Sequence, residues 1–359
     1  MPSSQLLCRT VRSSTRITNL AAFKQSARIT SSRDPVRVVL WAAGIILAAL
    51  AAALRPGGLA AAARVTAGPF VTLAAIILAS TLAGRIGVFR ILARTLIPDR
   101  GPAIASTAAI LALTALLSAL VNLDVAVVVA TPLAMRAAQN QALPAGRLAV
   151  AVAITANATS FLLPTSNITS LLLLAHRPLA TTAYLSRSWL PWMLVTAVTL
   201  GPLSAWTAHN TTSRAPAATA EQSPAVAAGP PARAASGLLP MYLTASAIRT
   251  LLGTGLILHG SLTGQLGQAT VLAAVAGNLP AAAAMTPASM PGLWAAILAT
   301  TIGPNLLITG SVATLICRQI ARDAGARLGT RQFTAIGLAL IPAQFAMATL
   351  GLHITAALT

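Results

Sequence analysis

Asp124 is the residue on which chemistry can be built, because it is the only acid in the chain that lies in an apolar run instead of a loop or tail. It stands in Asn122, Leu123, Asp124, a polar interruption of the apolar stretch 120–167 that is closed by Thr131 and Pro132. A second interruption follows at Pro164, Thr165, Ser166, Asn167, Ile168 and Thr169. An unpaired carboxylate at membrane depth is costly to keep charged, which suits a group that binds and releases a proton. The same Asp could cap a half-helix starting at Val125, and the two roles are compatible. Asn122, Asn167, Asn278 and Asn305 carry both donors and acceptors, which fits neutral polyols, cations or backbone capping. Backbone that leaves the helix inside a bilayer must be satisfied by protein, ion or substrate, so such interruptions mark a transport site.

The elements holding these residues are set by composition. The 359 residues are 56% hydrophobic and 8% charged, with mean hydropathy +0.78. Apolar runs of about 19 residues recur, which makes this a polytopic helical membrane protein. The net charge of +19 is spread between the runs instead of gathered on one face, so it reads as topology-holding loops and excludes nucleic acid as a partner. Cys8 and Cys317 form no CxxC pattern, and His176, His209, His259 and His353 lie near run ends without metal-ligand spacing, so neither a disulfide framework nor a metal site is expected. No Walker loop, Asp-rich prenyl motif or nucleophile with its base occurs, which argues against an enzyme and against an ATP-driven pump in one chain. A proton or sodium as coupling ion is then the sole expected cofactor.

Residues 1–37 read as a basic, disordered cytoplasmic tail and 38–64 as an N-terminal transmembrane helix with its loop. A second span covers 65–83. Residues 84–100 place Arg85, Arg90, Arg94 and Arg100 among apolar residues, as in a helix lying along the cytoplasmic interface. Residues 102–121 are apolar, but the return at 125–135 has only about eleven residues and is too short to cross, so the pair reads as a re-entrant hairpin. Residues 148–175 form a discontinuous span, and 189–206 cross back with Trp189, Trp192 and Trp206 as interfacial anchors. A linker rich in Ala, Pro, Thr and Ser, 207–236, separates this first repeat (65–206) from a second (237–359).

The second half follows the same plan. A span at 237–258 precedes a run broken at Gly277, Asn278, Leu279, Pro280 and closed by Thr286, Pro287, and then a run broken at Gly303, Pro304, Asn305. Asn122 with Thr131, Pro132 answers Asn278 with Thr286, Pro287, and the stretch Pro164 to Thr169 answers Gly303 to Thr309. With the N-terminus inside, most Arg residues fall on the cytoplasmic side, leaving Arg55, Arg64, Arg177 and Arg187 outside. The first hairpin then enters from the cytoplasm and the second from outside, an inverted repeat. Arg249, inside an apolar run with no acid nearby in sequence, could attract an oxyanion, pair Asp124, or satisfy free carbonyls.

Residues 120–135, 156–174, 277–287 and 302–315 resemble the arsenite permease (arsenical pump membrane protein) family, within the ion transporter superfamily that includes sodium-coupled dicarboxylate carriers. The similarity covers 65–352. It departs at Leu123, where the family has a second Asn, and at Gly277, where it has Asn before Asn278, Leu279 and Pro280. The resemblance implies an all-α inverted-repeat secondary transporter with two re-entrant hairpins and two discontinuous helices. Its tips and unwound segments would supply the substrate and ion ligands: Asn122, Asp124, Thr131, Thr165, Ser166, Asn167, Thr169, Asn278, Thr286, Asn305, Thr309 and Ser311. The expected activity is proton-coupled efflux of arsenite or antimonite across a bacterial inner membrane. The alternatives are a carboxylate or other anion carrier coupled to sodium or protons, and a non-transporting membrane scaffold. Expected partners are the lipid bilayer, a small anion or metalloid, a second copy of the chain, and a separate ATPase subunit.

Overall fold

The computed structural model describes residues 35–88, 91, 95, 102–209, 238–253 and 255–358. Most of the expected tail, of the interfacial helix and of the linker lies outside the described residues, while 35–37 and 207–208 continue the helices beside them. The chain divides into a short unit ending at Ala43 and a compact unit from Gly44 to Thr359, and helix α1 (Pro35–Leu54) runs across the division. Among the described residues the regular structure is helical apart from one parallel bridge between Leu256 and Met285. Three of the helices, at 58–85, 103–120 and 330–358, are long and apolar enough to cross a membrane.

The compact unit runs through one sequence of elements twice. First come α2 (Gly58–Arg85), a hairpin of α3 (Ala103–Leu120) and α4 (Leu123–Asn140), the broken pair α5 (Ala145–Ala158) and α6 (Ile168–Leu174), and α7 (Thr181–Ala208). The second pass is α8 (Leu238–Leu252), a hairpin of α9 (Leu262–Ala276) and α10 (Asn278–Ala284), the broken pair α11 (Met290–Ile302) and α12 (Val312–Asp323), and α13 (Thr330–Leu358). The two passes interlock. α4 of one hairpin packs on α12, α10 of the other packs on α6, α2 packs on α8, and α7 packs along α13.

Each break has a local cause. Asn122, in extended conformation, ends the turn after α3 and caps α4 by accepting the Asp124 N–H at 2.9 Å. Asn167 caps α6 in the same way, accepting from the Thr169 N–H at 3.1 Å. Gly277 turns the tip of the second hairpin at φ +91°, a region that L side chains disfavour. α5 and α11 are the innermost helices, buried throughout 148–158 and 292–302, with six Ala in α5 and three Ala and two Thr in α11. Small residues let backbones approach closely where lipid supplies no hydrophobic drive between helices.

The hairpins enter from opposite sides. Gly146, at the start of α5, lies against the Arg327 carbonyl beyond the end of α12, and Arg147 donates to the His209 carbonyl beyond α7 at 3.0 Å. Beyond α6, Arg177 donates to the Ala288 carbonyl at the base of the second hairpin at 3.1 Å.

Two elements differ from their sequence reading. The return arm α4 has 18 residues, because the segment expected to be loop, with Arg136 and Asn140, continues the helix past Pro132. α8 stops at Leu252, where Gly253 takes φ +64°, and Leu256 instead bridges to Met285, with its N–H on the Ala284 carbonyl at 2.7 Å.

Candidate functional site

Four helix starts converge on one crevice. Its walls are Leu123 and Asp124 from α4, Asn167 and Ile168 from α6, Asn278 and Leu279 from α10, and Ser311, Val312 and Ala313 from α12, with Met241 of α8 closing one flank. The crevice holds about 10 Å³, room for one water or a small ion, so the two tips are closed upon each other in this conformation. Positive ends of helix dipoles meet here, and among the described residues Asp124 is the single carboxylate at the site. Asp124 is partly buried and is held through its backbone N–H; among the described residues no donor reaches its carboxylate. Ser311 Oγ, fully buried, also has no partner among the described residues.

Each tip is tied to the break of its own pass. Asn122 Nδ2 donates to the Thr165 carbonyl at 3.2 Å, and Ser166 Oγ donates to the Ala119 carbonyl at 2.6 Å. In the second pass the Asn278 N–H donates to the Gly310 carbonyl at 2.8 Å. The two passes are then joined by Asn157, whose Nδ2 reaches Asn305 Oδ1 at 2.9 Å and Thr314 Oγ1 at 3.0 Å, while Asn305 Nδ2 donates to the Ile154 carbonyl at 3.3 Å.

The unwound carbonyls of the first break are capped from α7. Tyr184 Oη donates to the Phe161 carbonyl at 3.0 Å, Ser188 Oγ to that of Leu162 at 2.7 Å, and Trp192 Nε1 to that of Thr159 at 2.9 Å. Unpaired carbonyls at this depth would have no water to turn to. Trp192 is therefore a support of the break. Trp192→Phe should keep the ring and orphan the Thr159 carbonyl, a loss of about 1–3 kcal/mol. A lowered melting temperature of the purified protein would register it, and an unchanged one would remove Trp192 from this role.

Of the expected ligands, Asp124, Asn167, Asn278 and Ser311 line the crevice. Asn122, Thr165, Ser166 and Asn305 build the tips and breaks around it. Thr131 lies two turns along α4, on the face against α12, with its hydroxyl on Cys317 Sγ at 3.3 Å. Thr286 sits in the extended strip beyond α10, its N–H on the Leu256 carbonyl at 3.0 Å, and Thr309 is exposed. Thr169 lies one residue beyond the crevice wall at Ile168, its buried hydroxyl without a partner among the described residues. Arg249 does not reach Asp124: it lies in the last turn of α8 and its Nη1 meets both ring nitrogens of His176.

A family model described as citrate transporter (CitMHS) matches residues 29–284, from before α1 to the end of α10, including both hairpins and the first break. The chain belongs to this citrate transporter family. It is thus a multi-pass membrane protein of the superfamily that the motifs indicated, with the match falling on the citrate transporters instead of the arsenite permeases. The chain is also 33% identical over 117 residues to a "46 kDa membrane protein" of Mycobacterium leprae, a match covering 29% of this chain and 27% of that protein.

Proposed function

We propose that this member of the citrate transporter family is a secondary carrier of small carboxylate anions, coupled to a proton bound at Asp124. The observation carrying this reading is the meeting of four helix starts around one carboxylate. Charged, Asp124 compensates the positive helix ends. Protonated, it leaves them uncompensated, and they attract an anion. Proton and carboxylate then favour each other's binding, which is the requirement for symport. The amides of Asn167 and Asn278 and the free Ser311 hydroxyl supply donors for a carboxylate, and the 10 Å³ crevice would have to widen by parting of the tips to admit one. The same donors fit a neutral trihydroxy arsenic or antimony species, which keeps proton-coupled arsenite efflux as the second reading.

Membrane vesicles of both orientations, given citrate, arsenite or antimonite with and without a pH or sodium gradient, separate these. Citrate flux driven by the pH gradient is expected. Arsenite flux without citrate flux would replace the proposal by the second reading.

The first hairpin's side is proposed to face the cytoplasm of the inner membrane, because Arg85, Arg136, Arg147, Arg318, Arg322, Arg327 and Arg331 lie there. Both Thr263 and Asn140 are exposed. A thiol reagent added outside whole cells should label Thr263→Cys and spare Asn140→Cys until the membrane is permeabilised. The reverse pattern would invert the proposed topology.

A further inference from the structure

The mouth of the second hairpin gathers cations that the crevice does not use. Its base is the strip from Gly255 to Leu258, in which Leu256 bridges to Met285 and accepts from the Thr286 N–H at 3.0 Å. Arg55 packs its guanidinium on Gly253, where the strip begins. Arg249 projects from the last turn of α8 onto the His176 ring, with Nη1 3.3 Å from Nδ1. The neighbour of that histidine, Arg177, donates to the Ala288 carbonyl at 3.1 Å on the other flank of the mouth. The bonds that Arg177 and Arg249 make here use Nη1 alone of a five-donor fork, the geometry that grips carboxylates in pairs of hydrogen bonds.

No described acid faces this group. The sequence holds five acids, Asp34, Asp99, Asp124, Glu221 and Asp323. Of the two described, Asp124 is in the crevice, and Asp323 ends α12 on the first hairpin's side, where Gln319 donates to it at 2.7 Å. Three guanidiniums around one opening would concentrate anions there. A topology signal alone does not account for the arrangement, since cations that only hold loops outside the membrane need not gather about the base of one hairpin.

We propose that Arg55, Arg177 and Arg249 form an anion-capture site for carboxylates at the mouth of the second hairpin, from which the anion passes to the crevice when the tips part. His176 orients the Arg249 fork. This inference rests on the carboxylate reading of the crevice and adds a second station, distinct from the one where coupling occurs.

The test uses the full chain in phosphatidylcholine vesicles, so that no anionic headgroup competes, with citrate presented on the second hairpin's side at low and high salt. Arg177→Gln and Arg249→Gln should each raise KM roughly tenfold with the maximal rate unchanged, and should flatten the rise of KM with salt seen in the parent. Arg331→Gln, on the other side, should match the parent. An unchanged KM in both mouth variants, or a lost rate at constant KM, overturns the site. Should the parent carry no citrate, the carboxylate reading has failed, and calorimetry decides the site separately: citrate bound by the parent and lost in the Arg177→Gln, Arg249→Gln double variant supports it, and no binding by the parent refutes it.

Discussion

Asp124→Asn should abolish pH-gradient-driven flux while the protein folds as before. The substitution keeps the size of the side chain and leaves the backbone bond from Asp124 N–H to Asn122 in place at the start of α4. It removes the one titratable oxygen pair in the crevice. Because among the described residues no donor holds that carboxylate, no hydrogen bond is lost with its charge, and relief from keeping a charge at this depth offsets the lost attraction to the helix ends. The variant should melt no lower than the parent. If Asp124 served only to cap α4, Asn would replace it almost fully and flux would survive. Vesicles of the variant that retain full flux under a pH gradient would therefore end the coupling role, whatever the substrate.

Gly337→Ala should be the most damaging single methyl group in the chain. α13 crosses the second break with Gly337 against the Asn305 carbonyl, and a Cβ at that position would overlap both the oxygen and its carbon. Neither atom can move freely, because the Asn305 side chain is fixed on Ile154 and Asn157. The helix would have to withdraw or the break would have to shift, an overpacking cost of about 1–3 kcal/mol or more. A melting temperature lowered by several degrees with reduced flux is expected. Gly267→Ala, on the open face of α9 where a Cβ meets nothing within 4 Å, is the control and should be neutral or stabilising. Equal melting temperatures for the two would mean that the break does not depend on this close approach.

The paired order of breaks is legible in the sequence because Asn, Gly and Pro interrupt apolar runs that have no other reason to carry them. Asn122 with Asp124, Asn167, Asn278 and Ser311 lie where that order puts them. What the sequence hides is depth and partnership. Thr131 and Thr286 look like ligands because each precedes a Pro after a break, yet they stand two turns along α4 and beyond the end of α10, outside the crevice. Tyr184, Ser188 and Trp192 carry no local mark, since their partners are carbonyls 23 to 33 residues earlier in the chain. Their signal would have been a count: a break at membrane depth leaves carbonyls that some neighbouring span must satisfy. Asn157 carries no local mark of its partner, and its bond to Asn305 is a property of the interlocked passes.

The unequal halves of the first broken pair have an electrical meaning. α5 has 14 residues and α6 has 7, so at 1.5 Å per residue the crevice lies about 21 Å from the first hairpin's side and about 10 Å from the other. A charge travelling between the crevice and the first hairpin's side crosses roughly two thirds of the membrane voltage, about 1.5 kcal/mol for each 100 mV, and only about 0.8 kcal/mol on the other leg. Membrane potential therefore acts mainly on the release or capture of ions at the face of the first hairpin, and that is the step whose rate a voltage clamp would change most.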